Sequence, residues 1–224
     1  MTKQSVVPLF RLFKLEITAV ERENFVAVGT QNLTTSIQNE PGTLAMYTSH
    51  VDPAGLHNRV IEVYRDAASY EIHAHSPQFA AFQTVAKRAV TQQTVVNLTP
   101  KLLLEQSQPL YRNPANEAFI QLMALTVQPG QTAAYQAVVV PYLQAAMAAE
   151  PGLQVGAVGQ VVDAPDQWVI FTVYQDLAAF KAHCQTAGFK QYQAAAQPLI
   201  QTADATVLTG DTLVNHGGLA FTAE

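Results

Sequence analysis

Residues 61–82 read IEVYRDAASYEIHAHSPQFAAF, a short apolar run, an Asp and then a helical stretch; residues 171–192 read FTVYQDLAAFKAHCQTAGFKQY. The two register without a gap. Tyr64 falls on Tyr174, Asp66 on Asp176, His73 on His183 and Phe79 on Phe189, each pair 110 positions apart. The register continues outward: Glu40-Pro41-Gly42 lies opposite Glu150-Pro151-Gly152, Leu12 and Leu15 opposite Leu122 and Leu125, and Leu103 opposite Leu213. An ungapped repeat of this length means two copies of one domain in one chain. We expect a first domain over 1–105, a polar, Pro-containing linker over 106–116 (QSQPLYRNPAN) and a second domain over 117–224.

Each copy has roughly 105 residues, enough for one modest core. Only 13% of the 224 residues are charged, against roughly 25% in an average domain. A surface so poor in charge fits a protein with a large buried interface. The net charge of −5 leaves no basic stripe to neutralise phosphates, so a nucleic-acid partner is not expected. Cys184 is the lone cysteine, which excludes an intrachain disulfide and a cysteine-based metal site. The N-terminal MTKQSVVPLFRLFK is interrupted by Arg11 and Lys14 and does not read as a signal peptide. No apolar run approaches the ~20 residues that span a bilayer. These features predict a cytoplasmic protein with no membrane partner.

Along the first copy, residues 1–7 read as a loose lead-in, and 9–18 as a strand in which Phe13, Leu15 and Ile17 alternate with polar residues. A helix is expected over 21–39, stopped by Pro41-Gly42, then strands over 43–51 and 58–64 joined by the turn Asp52-Pro53-Ala54-Gly55. Asp66 and Ser76 stand where N-caps stand, the second followed by Pro77 at the first helical position. They open helices over 67–73 and from 77 to about 90, and a strand over 93–104 closes the copy. The second copy repeats this with strands over 119–127, 153–161, 167–174 and 205–214, and a helix over 131–149 that Pro141 should kink. The order β-α-β-β-α-β is the ferredoxin-like split motif, an α+β fold with helices on one face of an antiparallel sheet. The bare face of each sheet needs a partner, and two fused copies can supply it internally. The expected architecture is two ferredoxin-like domains in tandem, forming an intramolecular dimeric α/β barrel, a pseudo-dimer that leaves further homodimerisation open.

The pattern Glu40-Pro41-Gly42, Glu62-Val63-Tyr64-Arg65-Asp66, Tyr70, His73, Ser76-Pro77 and Phe79 resembles the antibiotic biosynthesis monooxygenase family, a dimeric α/β barrel group. The stretch YRDAASYEIHAHSPQF is similar to its quinol monooxygenase branch, and the resemblance covers the chain twice. It implies cofactor-free oxygenation of quinol-like aromatics, haem degradation, isomerisation of a phosphorylated sugar, or no catalysis. In the haem-degrading branch an iron-binding His falls where Gln83 and Gln193 stand here, and Gln is a poor axial ligand.

His73 and His183 form the His pair shared by both copies. An imidazole titrating near neutrality suits a base that takes a proton from a phenol or quinol. The deprotonated ring can then pass an electron directly to O₂, so no flavin, haem or metal is required. The plain alternative is a helix His bonded to a backbone carbonyl. Tyr64 and Tyr174 share a strand face with Glu62 and Thr172 and would orient a ring, or would simply be core aromatics. Asp66 and Asp176 read as caps, and the Glu-Pro-Gly pairs as helix stops.

Differences between the copies point to one working site. His50, His57 and His75 become Gln160, Gln167 and Gln185; Glu16 and Glu62 become Thr126 and Thr172; Tyr47 becomes Ala157 and Arg65 becomes Gln175. The first copy keeps groups that exchange protons and the second does not, unless the three histidines are merely drifting surface positions. His73 and His75 do not share a helix face and make no metal pair. The expected activity is therefore a cofactor-independent monooxygenase acting on a small aromatic or quinol. His73 and Tyr64 would be catalytic, Tyr47, His50 and Glu62 substrate-binding, and His183 and Tyr174 the second-copy counterparts. A non-catalytic ligand-binding protein and an isomerase of a small carbonyl compound are the alternatives.

Overall fold

The computed structural model describes residues 6–113 and 117–223. The expected lead-in at 1–5 and the linker positions 114–116 lie outside the described residues. In the first copy the elements are β1 (Leu9–Ile17), α1 (Arg22–Asn39), β2 (Thr43–His50), β3 (His57–Tyr64), α2 (Ala67–Ala74), α3 (Pro77–Ala89) and β4 (Val90–Glu105). A two-residue β5 (Tyr111–Arg112) follows, inside the stretch read as a linker. The second copy has β6 (Phe119–Val127), α4 (Thr132–Ala149), β7 (Leu153–Val161), β8 (Gln167–Tyr174), α5 (Leu177–Gln185), α6 (Ala187–Ala196), β9 (Ile200–Asn215) and β10 (Ala220–Thr222). Two ferredoxin-like α+β domains in tandem are thus present. Helix α4 runs on through Pro141.

The compact units do not follow the chain contiguously. Among the described residues the first is built from 6–96 and 110–113 with Gly210–His216, and the second from Asn97–Pro109, Glu117–Thr209 and 217–223. Each long strand therefore begins in one unit and ends in the other. In the first unit β1 pairs antiparallel with β3, β3 with β2, and β5 with Leu213 and Val214 of β9. In the second, β6 pairs with β8 and with the first half of β9, β8 with β7, and the last half of β4 lies between β7 and β10.

Burial in β1 and β6 alternates but shifts phase once in mid-strand, and β3 and β8 end on adjacent buried residues. Phe10, Leu12, Ile17, Val63 and Tyr64 are buried in the first unit, and Ile120, Leu122, Val127, Val173 and Tyr174 in the second. The helix starts obey the capping chemistry read from the sequence: Asp66 accepts from Ser69 N (2.7 Å), Asp176 from Ala179 N (2.7 Å) and Ser76 from Phe79 N (3.3 Å). Replacing Asp66 or Asp176 by Ala orphans that N–H and should cost about 1 kcal/mol each in urea unfolding. Gly42 and Gly152 sit where a Cβ would run into Ser69 and Ala179, so the Glu-Pro-Gly turn brings backbone hard against the next helix. No helix among the described residues is long and apolar enough to cross a membrane.

Candidate functional site

Between α1, α3 and the sheet of the first unit lies a cavity of about 290 Å³. Its room comes from α1, where Gly29 and Asn32 lie one turn apart and neither fills the space. Phe13, Phe25, Tyr70, Phe79 and Phe82 make an aromatic wall, and Asn32, Glu62, Arg22, Asn58 and Asp211 bring polar groups to it. Asp211 arrives on the exchanged end of β9. Its carboxylate accepts from Arg22 at 2.6 Å and meets His50 Nδ1 at 3.1 Å, while Arg22 also lies 3.0 Å from that Nδ1.

Glu62 is the sequence-predicted site residue that lines this cavity. Its Oε2 accepts from the Tyr64 hydroxyl at 3.1 Å and faces Arg11 at 3.5 Å; Oε1 has no protein partner among the described residues. Burial pushes the carboxyl above its ordinary range, against the opposing pull of Arg11. The Tyr64 hydroxyl is raised further by burial and then by Glu62, so it stays protonated and donates.

His73 stands one layer behind the wall. Its ring is fully buried, 4.7 Å from Phe79 and 5.6 Å from Tyr64 by centroids. Nδ1 lies 3.1 Å from Glu40 Oε2 and 3.1 Å from Ser36 Oγ. Glu40 also accepts from Thr43 Oγ1 at 2.6 Å and from Gln78 Nε2. With Glu40 accepting the Nδ1 proton, the neutral ring presents a lone pair at Nε2, and that buried atom has no hydrogen-bond partner among the described residues. Burial holds the imidazole below its ordinary value, outweighing the pull of Glu40.

The other expected residues do not line the cavity. Tyr47 is buried with its hydroxyl accepting from Asn215 Nδ2 at 2.8 Å. His50 touches the cavity through its bonds to Arg22 and Asp211, whereas His57 and His75 are exposed. Sequence reasoning missed Asn32, Tyr70, Arg22 and Asp211 as wall residues, and took Glu40 for a turn residue only. The signal for Glu40 was present: it recurs as Glu150 in step with the histidine pair, and His183 Nδ1 lies 2.7 Å from Glu150. Gln83 lines the cavity. Among the described residues no group of three His, Cys, Asp or Glu side chains could hold a metal.

The equivalent space in the second unit is about 40 Å³. By the offset of 110, Val139 replaces Gly29, Tyr142 replaces Asn32, Trp168 replaces Asn58 and Thr172 replaces Glu62. The Tyr142 ring stacks on Tyr192 (4.2 Å, 8° between planes) and its hydroxyl reaches His183 Nε2 at 2.6 Å.

A carboxylate-held imidazole recurs at the same offset in both units. The description of antibiotic biosynthesis monooxygenases matches residues 8–85 and again 118–195. The chain belongs to the antibiotic biosynthesis monooxygenase family. A candidate monooxygenase from Lactobacillus acidophilus NCFM is 25% identical, with a TM-score of 0.90 over 96% of this chain and 99% of that one. A second, from Fusobacterium nucleatum, shares the fold at 15% identity, with a TM-score of 0.88 over 98% of this chain and 99% of that one. No curated protein matches the chain. For this family member, the two matched segments take in both histidines and both Glu-Pro-Gly turns.

Proposed function

We propose that the first unit is a cytoplasmic monooxygenase that oxidises a small aromatic or quinol with O₂ and needs no flavin, haem or metal. One observation carries this reading: a buried neutral imidazole, held through Nδ1 by Glu40, with its Nε2 unpartnered among the described residues, one layer behind Phe79 in the wall of an aromatic cavity. His73 would take the hydroxyl proton at Nε2, while Tyr64 orders Glu62, whose unbonded Oε1 would receive a second ring proton. The electron-rich anion passes an electron to O₂ and the radical pair recombines at carbon. That recombination forms a C–O bond and leaves a ring hydroperoxide, whose O–O bond then breaks, one oxygen staying on the ring and the other leaving as water. Quinol plus O₂ becomes hydroxyquinone plus water, with the ring supplying all the electrons.

The test is dissolved-oxygen uptake with a panel of quinols and polyphenols, with ¹⁸O₂ to follow the inserted atom. Uptake with one labelled oxygen in the product is expected. Turnover of a carbonyl compound under nitrogen would favour the isomerase instead, and tight binding without uptake a non-catalytic binding protein.

A further inference from the structure

The two units carry the same imidazole in two states. His183 Nε2 is satisfied by a phenol, the side chain of Tyr142, at 2.6 Å; His73 Nε2 is buried and has no partner among the described residues. The position that supplies the phenol in the second unit holds Asn32 in the first. The Asn32 side chain makes no hydrogen bond among the described residues, is 3% exposed, and lines the larger cavity. The aromatic under the phenol is kept as well, since Tyr192, on which Tyr142 stacks, becomes Phe82 in the cavity wall. The first unit thus has the receptor for a phenol, a ring to stack on and an imidazole to receive the hydroxyl, without the phenol.

We propose that the Tyr142 side chain holds, in the second unit, the place that a phenolic ligand takes in the first, so that the second unit is a phenol site closed by its own chain. This rests on the reading that the first unit takes a phenolic or quinol ring. The ligand ring lies on Phe82 beside Asn32, its hydroxyl donates to His73 Nε2, and the Phe79 side chain swings aside to admit it. The Asn32 amide, which can offer either a donor or an acceptor, takes a second ring oxygen; in a quinol there is one to take. Gly29 gives the ring its room. A Cβ there would meet Phe82 at 3.7 Å, ordinary contact, and Val139 in the second unit fills the corresponding space.

The probe is p-cresol, the tyrosine side chain as a separate molecule, titrated calorimetrically under nitrogen. The wild-type protein should bind one equivalent, and toluene, which lacks the hydroxyl, roughly tenfold more weakly. Tyr142→Asn combined with Val139→Gly should raise the count from one to two. Asn32→Tyr should lower it to zero, and Gly29→Val should weaken binding at least tenfold, each copying the second unit into the first. Thermal unfolding of each variant establishes that it is folded, and the two first-unit variants are independent, so either one suffices. A folded Asn32→Tyr or Gly29→Val protein that binds p-cresol like the wild type overturns the proposal, as does a folded Tyr142→Asn/Val139→Gly protein that still takes one equivalent. Failure of the oxidation reading looks different: this binding pattern intact, with no oxygen uptake from any quinol.

Discussion

His73→Ala is expected to lower quinol-dependent oxygen uptake by about a hundredfold or more, the usual worth of a positioned base. Because His73 is fully buried against Glu40, its loss also leaves that carboxylate short of a partner, so some destabilisation will accompany it. His73→Gln separates the two effects. The amide can still donate to Glu40 but has no basic nitrogen, so uptake should fall equally while unfolding changes less. His183→Ala, in the unit whose cavity is closed by Tyr142, should leave uptake near wild type. The pH profile carries a further signature. Burial lowers the His73 value, so the base stays available below the ordinary imidazole range of about 6.5, and the acid limb of the rate should lie beneath it. Stability moves in the same direction: the unfolded chain accepts this proton near 6.5 and the folded one resists it. The contribution is therefore full above that pH and is lost as pH falls through the folded-state value. An acid limb at or above 6.5 would count against His73 as the base.

Trp168→Ala is expected to cost about 3–5 kcal/mol, the range for removing a large buried aromatic. Trp168 is 1% exposed and meets Tyr135 edge-on (5.2 Å, 81°), within a core that includes Val127, Leu143 and Met147. Its indole N–H has no hydrogen-bond partner among the described residues, so the loss is packing rather than a severed bond. Urea unfolding should show a lower midpoint; a loss under about 1 kcal/mol would mean that the surrounding side chains collapse into the space. The first unit meets the same position differently, with Asn58 at the cavity wall. One register position thus serves stability in one unit and access in the other.

Much of the fold was legible because the repeat multiplied every weak signal by two. Asp66 with Asp176, and the alternation in β1 and β6, each appear twice at one offset, which chance patterns do not. The strand starts were the exception. Residues 90–97 of β4 and 200–206 of β9 are exposed along almost their whole length, so they carry no alternation to read. The site was legible where chemistry and repetition coincide, as at His73, and illegible where a wall residue looks like helix surface. Asn32 among Thr and Gln residues of α1 gives no local hint, although its replacement by Tyr142 lay in the same register comparison that singled out His50 and Glu62. Asp211 had no sequence signal at all, since it reaches Arg22 from 189 residues away.

That separation has a consequence for how the protein comes into being on the ribosome. At roughly 5–20 residues per second, about ten to forty seconds pass between polymerising Arg22 and its partner Asp211. Throughout that interval the nascent first unit lacks Gly210–His216, the sheet segment beside β2. Its unpaired edge and half-built cavity must wait, open to chaperones and to other nascent chains, until Gly210–His216 has been made.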